Sequence, residues 1–222
     1  MTWDLDANAT RLVTQLQLIR RERLFAQRFM STGKWTTDRV GTTNFVKWSD
    51  LANSDPLNDI VVWSDLMRGL IGRKPNKMAM GHAVWSGIRN HPDFLARING
   101  GATTGSPAIF TKQMLASWFE LDEIMSFEGM YNNAVEDVVG STNLDDIVED
   151  SALLFYAPDR PSLMTPSAGY TFVWRPLVNG SAPQYIRKYY LEAEMTDVVE
   201  SQAYFDQKVT AADAGMYISD IL

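Results

Sequence analysis

Apolar residues at Leu12, Leu16 and Ile19, four and three positions apart, predict a helix over residues 8–30. Phe25 and Phe29 continue it on a shifted face. The stretch "RLVTQLQLIRRERLFAQRFM" has no Gly or Pro, and Gly33 supplies a stop. The next segment changes character. "GKWTTDRVGTTNFVKW", residues 33–48, is rich in Thr, Val and aromatics, with a turn signal near Asp38–Gly41, and predicts a β-hairpin or an extended loop. Trp35 and Trp48 bracket it. A hairpin this small cannot bury two indoles against itself, so they must pack on another element, in this chain or in a neighbour.

The strongest helix start follows the polar stretch "SDLANSDP". Asp55 suits an N-cap, Pro56 the first helical position, and Asp59 the dipole of the first turn. Leu57, Ile60, Trp63, Met67, Leu70 and Ile71 recur at helical spacing up to Gly72. Val61, Val62 and Leu66 widen the apolar face, which predicts a helix over 56–71 buried on more than one side. Next comes "KPNKMAMGHAVWSGIRNHPDFLARI". "NKMAMG" predicts a short strand, and residues 82–98 a helix whose one face carries Val84, Ile88, His91, Leu95 and Ile98. Pro92 excludes His91 from the α region and restarts the helix, so His91 lies at a joint on the core side.

Beyond the glycine-rich loop "NGGATTGSP", the pattern predicts a helix at 111–119. "EIMSFEGMYN" predicts a strand with a turn, and residues 132–150 an acidic loop. "SALLFYAP" is a buried strand, "GYTFVWRPLV" a strand with alternating aromatics, and "QYIRKYYLEAEMTDVVESQAYFD" a bent or paired ribbon. "KVTAADAGMYISDI" predicts a closing strand pair around the Ala-Asp-Ala-Gly turn. The pattern shows no internal repeat.

Composition narrows the class. Across 222 residues, 45% are hydrophobic and 21% charged, with seven Trp, eight Tyr and ten Phe: enough for a real core. No cysteine is present, which excludes disulfides and thiolate metal sites. No apolar run nears the roughly 20 residues that span a bilayer, and "MTWDLDANAT" has no signal-peptide pattern. The net charge of −7 speaks against a general nucleic-acid binder.

The charge is unevenly placed. Residues 1–48 hold eight Lys or Arg (Arg11, Arg20, Arg21, Arg23, Arg28, Lys34, Arg39 and Lys47) against four acids. Residues 113–159 hold eleven acids and no Lys or Arg. The two stretches are either two solvated faces or a basic segment that meets acidic surface on a neighbouring copy.

Candidate chemistry is sparse. Two histidines, His82 and His91, without cysteine leave no zinc-ligand spacing. There is no Gly-x-Ser-x-Gly elbow, and "GGATTG" lacks both the Lys-Ser/Thr of a P-loop and the spacing of a dinucleotide fingerprint. The acidic pairs Asp145-Asp146 and Glu149-Asp150 match a glycosidase in residue type only, and read as solvated charge in a polar loop. The remaining signals are architectural, and elements that cannot bury their own surface imply partners.

Taken in order, "KWSDLANSDPLNDI", "KPNKMAMGHAVWSGIRNHPDFLARI", "SAGYTFVWRP" and "DVVESQAYFDQKVTAADAGMYISDI" resemble major capsid proteins of tailed bacteriophages, across about residues 8–222. The resemblance implies an α+β chain with the Hong Kong phage capsid fold: an N-terminal arm and extended β-hairpin loop (1–48), a discontinuous peripheral domain (49–75 and 184–222) with a long spine helix at 56–71, and an axial α/β domain (76–183). It implies a structural, non-enzymatic protein without cofactor or metal. It further implies that many copies, as hexamers and pentamers, form an icosahedral shell around double-stranded DNA that they contact non-specifically. The implied partners are other copies, a portal, and scaffold or decoration proteins, with no membrane; the place is the virion capsid, assembled in the host cytoplasm.

Arg20, Arg21, Arg23, Arg28, Trp35, Arg39, Phe45 and Trp48 are the inter-subunit contact residues this implies, with the aromatics anchoring the loop on a neighbour. The chain is short for the family and shows no N-terminal scaffold extension, so it is either compact or lacks residues upstream of Met1. Lys47 sits where some members form Lys-Asn crosslinks, but no partner Asn is marked. Two alternatives stay open: an encapsulin-like compartment enclosing cargo protein, and a small α/β hydrolase using His91 with Asp93.

Overall fold

Helix α1 spans Leu5–Phe29 in the computed structural model, which describes residues 4–98, 110–134, 143–162, 164–174 and 184–222. Asp4 starts it by accepting the Ala7 N–H at 3.1 Å. Only Ala26 and Phe29 of the helix are buried. Leu12 and Leu16, which carry the sequence periodicity, are 57% and 56% exposed. Strand β1 (Arg39–Val40) comes next, then helix α2 (Pro56–Ile71). Asp55 caps α2 through the Asn58 N–H at 3.0 Å, Pro56 opens it, and Gly72 ends it at φ 70°, a left-handed conformation that glycine adopts without steric penalty.

Strand β2 (Lys77–Gly81) leads directly into helices α3 (His82–Arg89), α4 (Pro92–Ile98) and α5 (Lys112–Trp118). Strands β3 (Glu123–Phe127), β4 (Met130–Asn132), β5 (Leu144–Asp146), β6 (Ser151–Phe155) and β7 (Gly169–Val173) follow. The chain closes with β8 (Gln184–Leu191), β9 (Thr196–Ala203), β10 (Phe205–Val209), a 3-10 turn (Ala212–Ala214) and β11 (Gly215–Ser219).

A five-stranded sheet in the order β1-β11-β6-β2-β3 organises the core. Its register places Ile124, Met78, Leu154 and Met216 in one row across four strands. Successive side chains alternate between faces. The face that carries Met78, Met80, Ala152, Leu154, Met216 and Ile218 packs with Ile60, Trp63 and Met67 of α2, Val84 and Ile88 of α3, and Phe94. The opposite face sets Leu153 with Phe29, Met30 and Trp35. The sheet is therefore covered on both sides, as a near-continuous apolar strand such as "SALLF" requires. Each fully buried large side chain contributes about 1.5–3 kcal/mol.

Several expectations are corrected. Residues 33–48 form no hairpin: β1 has two residues and pairs in parallel with β11, and only a single bridge joins Gly41 to Phe45. The aromatics of this segment are drawn into the core instead of forming a free-standing arm. Helix α2 is buried on one side only. Ile60, Trp63, Ser64 and Met67 face the sheet, while Val61, Val62 and Leu70 are 47%, 53% and 47% exposed.

The 82–98 segment is two helices, and the break at Asn90–His91 rotates the phase. Phe94 is fully buried in place of Leu95, which is 36% exposed. The acidic loop contains β5, which pairs with β4, and ends in buried Val148. The last two strands do not pair with each other: β10 joins β7, and β11 joins β6 and β1. The expected ribbon is present as the β8–β9 hairpin. The glycine-rich loop at 99–107 lies outside the described residues. The central sheet draws strands from 1–48, 76–183 and 184–222.

Candidate functional site

The sequence left one cluster with chemical potential, and the fold completes it. Ser54 Oγ lies 2.9 Å from His91 Nε2, and Asp93 Oδ2 lies 3.6 Å from His91 Nδ1. Serine, histidine and aspartate thus converge as in a hydrolase triad. The hydrogen bonds run the wrong way for one. The Asp93 backbone N–H donates to Nδ1 at 3.3 Å, which assigns the ring proton to Nε2. Ser54 Oγ donates to the Asp50 carbonyl at 2.6 Å, so it accepts from Nε2–H. A general base needs a free Nε2 lone pair facing the nucleophile; here that nitrogen carries the proton. His91 is fully buried and Ser54 is 7% exposed. The cluster ties the turn before α2 to the α3–α4 joint. Its geometry is that of a structural brace, not of the hydrolase alternative. Among the described residues no group of three His, Asp or Glu side chains could hold a metal.

The predicted contact residues divide into two sets. Trp48 is 1% exposed, stacks on Trp63 with centroids 6.2 Å apart, and donates its Nε1–H to Asp59 Oδ2 at 3.1 Å. Burial raises the Asp59 carboxyl above its usual pKa despite that bond, and Asp55 adds to the effect. Phe45 is half-buried and sits edge-on to Trp63 at 5.1 Å. Trp35 is 5% exposed and donates its Nε1–H to the Phe29 carbonyl at 2.7 Å. The burial of both indoles inside their own chain stands against the expectation that they anchor on a neighbour. The requirement for packing on another element is met at home.

The arginines reach outward more. Arg20 and Arg21 are exposed and form no ion pair among the described residues. Arg23 lies 4.5 Å above the Tyr131 ring. Arg28 pairs with Asp206 and donates to the Gln207 carbonyl at 3.0 Å, while Arg39 is half-buried in β1. Two more features were invisible in the sequence. Lys47 pairs with Asp220 and donates to the Leu222 carbonyl at 3.0 Å, while Asp150 Oδ1 accepts the Leu222 N–H at 2.8 Å, so the 219–222 tail is held from two sides. No local pattern links residues this far apart in the chain.

Beside this clamp an open groove of about 620 Å³ runs between the end of α1 and the β5–β6 turn. Its lining combines the apolar Ala26, Met30, Ile147 and Val148 with the carboxylates Asp146, Glu149, Asp150 and Asp220 and the guanidinium of Arg23. Burial raises the Asp150 carboxyl, offset in part by the Leu222 and Ile221 N–H groups. Glu22 is likewise raised by burial, against the Gly129 N–H that lowers it.

No family model matches the chain. The major capsid protein of Burkholderia phage BcepMu is 24% identical over 224 aligned positions, which cover 98% of this chain and 67% of that protein. Among solved structures, a phage-related protein from Bordetella bronchiseptica RB50 superposes with a TM-score of 0.76 at 21% identity, covering all of this chain and 69% of the other. The capsid of cyanophage P-SCSP1u matches at TM-score 0.55 and 11% identity, over 99% and 67% of the two chains. The chain has the phage capsid fold. The SrpI encapsulin of Synechococcus elongatus PCC 7942 shares that fold at TM-score 0.52 and 11% identity, over 95% of this chain and 64% of the encapsulin chain. The resemblance to phage major capsid proteins read from the sequence holds along almost the whole chain, with mixed helix and sheet content to match.

Proposed function

We propose that this chain is a structural coat subunit, many copies of which close into an icosahedral shell around double-stranded DNA. One observation carries the reading: likeness to a phage major capsid protein along 98% of the chain. The fold match at TM-score 0.76 and the inert polarity of the His91 cluster support it. The role is architectural and needs no catalytic group.

The finer assignments belong to the same proposal. The shell is built of hexamers and pentamers in the virion, assembled in the host cytoplasm, with portal, scaffold or decoration proteins as partners. Helix α2 serves as spine and α1 as arm, with Arg20, Arg21, Arg23, Arg28 and Arg39 facing neighbours or packaged DNA. Apolar residues left open on the single chain, Val61, Val62 and Leu70 on α2 and Phe172, Val173 and Trp174 on β7 and just beyond it, fit a molecule whose surface is completed by other copies.

The encapsulin likeness favours a second reading, a shell around cargo protein. Purified shells decide between them. Nuclease-protected DNA inside supports the coat assignment; a co-purifying enzyme without DNA supports the compartment.

A further inference from the structure

Helix α2 buries one side and turns apolar residues outward on the other. Val61, Val62 and Leu70 are 47%, 53% and 47% exposed. Val62 and Gly69 lie two turns apart, so they share one stripe of the helix surface, with the half-buried Leu66 between them. Val61 and Leu70 stand to either side of that stripe, roughly a quarter-turn away.

Gly69 is the unusual member of the stripe. It makes no turn: α2 runs on to Ile71, and Gly72 takes the left-handed conformation that ends the helix. A glycine inside a helix costs stability relative to alanine. Among the described residues no neighbouring atom lies within 4 Å of the place a Cβ at 69 would take, so packing inside the subunit does not call for the gap. The exposed face thus carries a valine knob and, two turns on, a dent that lets another backbone approach closely. On the Val61 side the face is bordered by the Asp65–Arg68 ion pair at 3.5 Å, both side chains more than half exposed.

We infer that two copies pack α2 against α2, antiparallel across a two-fold axis, with Val62 of each seated over Gly69 of the other. This contact rests on the coat-subunit reading, which supplies the second copy. The spacing sets the orientation. Antiparallel packing about the midpoint between Asp65 and Leu66 aligns position 62 with position 69 twice over. Parallel packing would set Val62 on Val62 and leave two gaps at Gly69. The antiparallel arrangement also opposes the two helix dipoles and sets Asp65 of one copy beside Arg68 of the other, so charge matches across the contact. The contact is isologous and closes after two copies, so it links subunits in pairs and leaves the rest of the shell to other surfaces.

Exchange of knob and gap in the full chain tests it, read by sedimentation, with circular dichroism to confirm that each variant folds. Gly69→Val sets valine against valine and raises the concentration needed for assembly by about tenfold or more. Val62→Gly/Gly69→Val swaps the two positions and restores assembly. A covalent readout accompanies it, because the chain has no cysteine of its own. In Val62→Cys/Gly69→Cys the two thiols of one helix stand roughly 10 Å apart, beyond disulfide reach, whereas 62 of one copy meets 69 of the other. Mild oxidation of assembled material then gives a single dimer band on a non-reducing gel. No dimer, or a ladder of larger species, overturns this contact. So does a Gly69→Val chain that assembles like wild type, or a swapped variant that does not recover. In each of these cases wild-type shells leave the coat-subunit reading standing. A wild-type chain that never assembles overturns both.

Discussion

Trp48 stacks on Trp63 at 6.2 Å between ring centroids, with 20° between the planes, and Asp59 accepts the Trp48 indole N–H. This pair joins the 41–48 segment to α2 inside one chain. The backbone adds a second link, to the C-terminal tail, since the Trp48 N–H donates to the Ile221 carbonyl at 2.7 Å. Trp48→Ala therefore destabilises the subunit itself, by about 3–5 kcal/mol in urea unfolding. Shells are lost because the subunit melts. A variant as stable as wild type that fails only in assembly would show that the indole serves a neighbour.

The brace at His91 predicts a stability effect without an activity effect. Ser54→Ala leaves Nε2–H buried without its acceptor and removes one of the donors to the Asp50 carbonyl, which keeps the Ser54 backbone N–H at 3.0 Å. The expected loss is about 1–3 kcal/mol, measured by chemical unfolding. Wild type and variant alike show no turnover of esters or glycosides above buffer. Turnover that disappears with Ser54→Ala would restore the hydrolase reading.

Asp150 gives the chain a pH dependence of known sign. Its carboxyl is raised by burial, with Asp220 adding to the effect and Lys47 and two backbone N–H groups opposing it. A carboxyl that holds its proton more tightly folded than unfolded favours the fold in acid and costs stability as pH rises through its folded pKa. Asp150→Asn removes that cost. The stability of the variant relative to wild type is thus greater at pH 7 than at about pH 4. Thermal melts across this range check it, and a difference that does not change with pH contradicts it.

Gly215 is fixed by the close approach of an aromatic ring. A Cβ there would overlap the six-membered ring of Trp35, which is itself buried against Phe29. Gly215→Ala must displace the indole or bend β11, so a loss of roughly 1–3 kcal/mol is expected. Adding Trp35→Leu to the alanine variant opens room for the methyl group and recovers part of that loss. Equal losses with and without Trp35→Leu would exclude the ring as the cause.

Much of the local structure was legible because its signals are local. Asp55, Pro56 and Gly72 bounded α2 correctly, and the alternating and continuous apolar runs located β2, β6, β7 and the β8–β9 ribbon. Pro92 marked the joint at His91. What failed depends on partners distant in the chain. The aromatics of 33–48 read as a hairpin because nothing nearby shows that Gly215 makes room for Trp35, or that Trp63 receives Trp48. β10 and β11 read as a pair because they are neighbours in sequence; their hydrogen bonds go to β7 and β6 instead. The groove at Asp146 and Asp150 lay within a stretch read as a polar loop, and no pattern of residue types marks a cleft closed by a helix more than a hundred residues away.

The coat-subunit reading stands or falls on sedimentation velocity of the purified chain, with negative-stain imaging of any fast-moving material. Capsomer rings or closed shells of megadalton size are expected. A chain that stays monomeric at high concentration and low salt would contradict it.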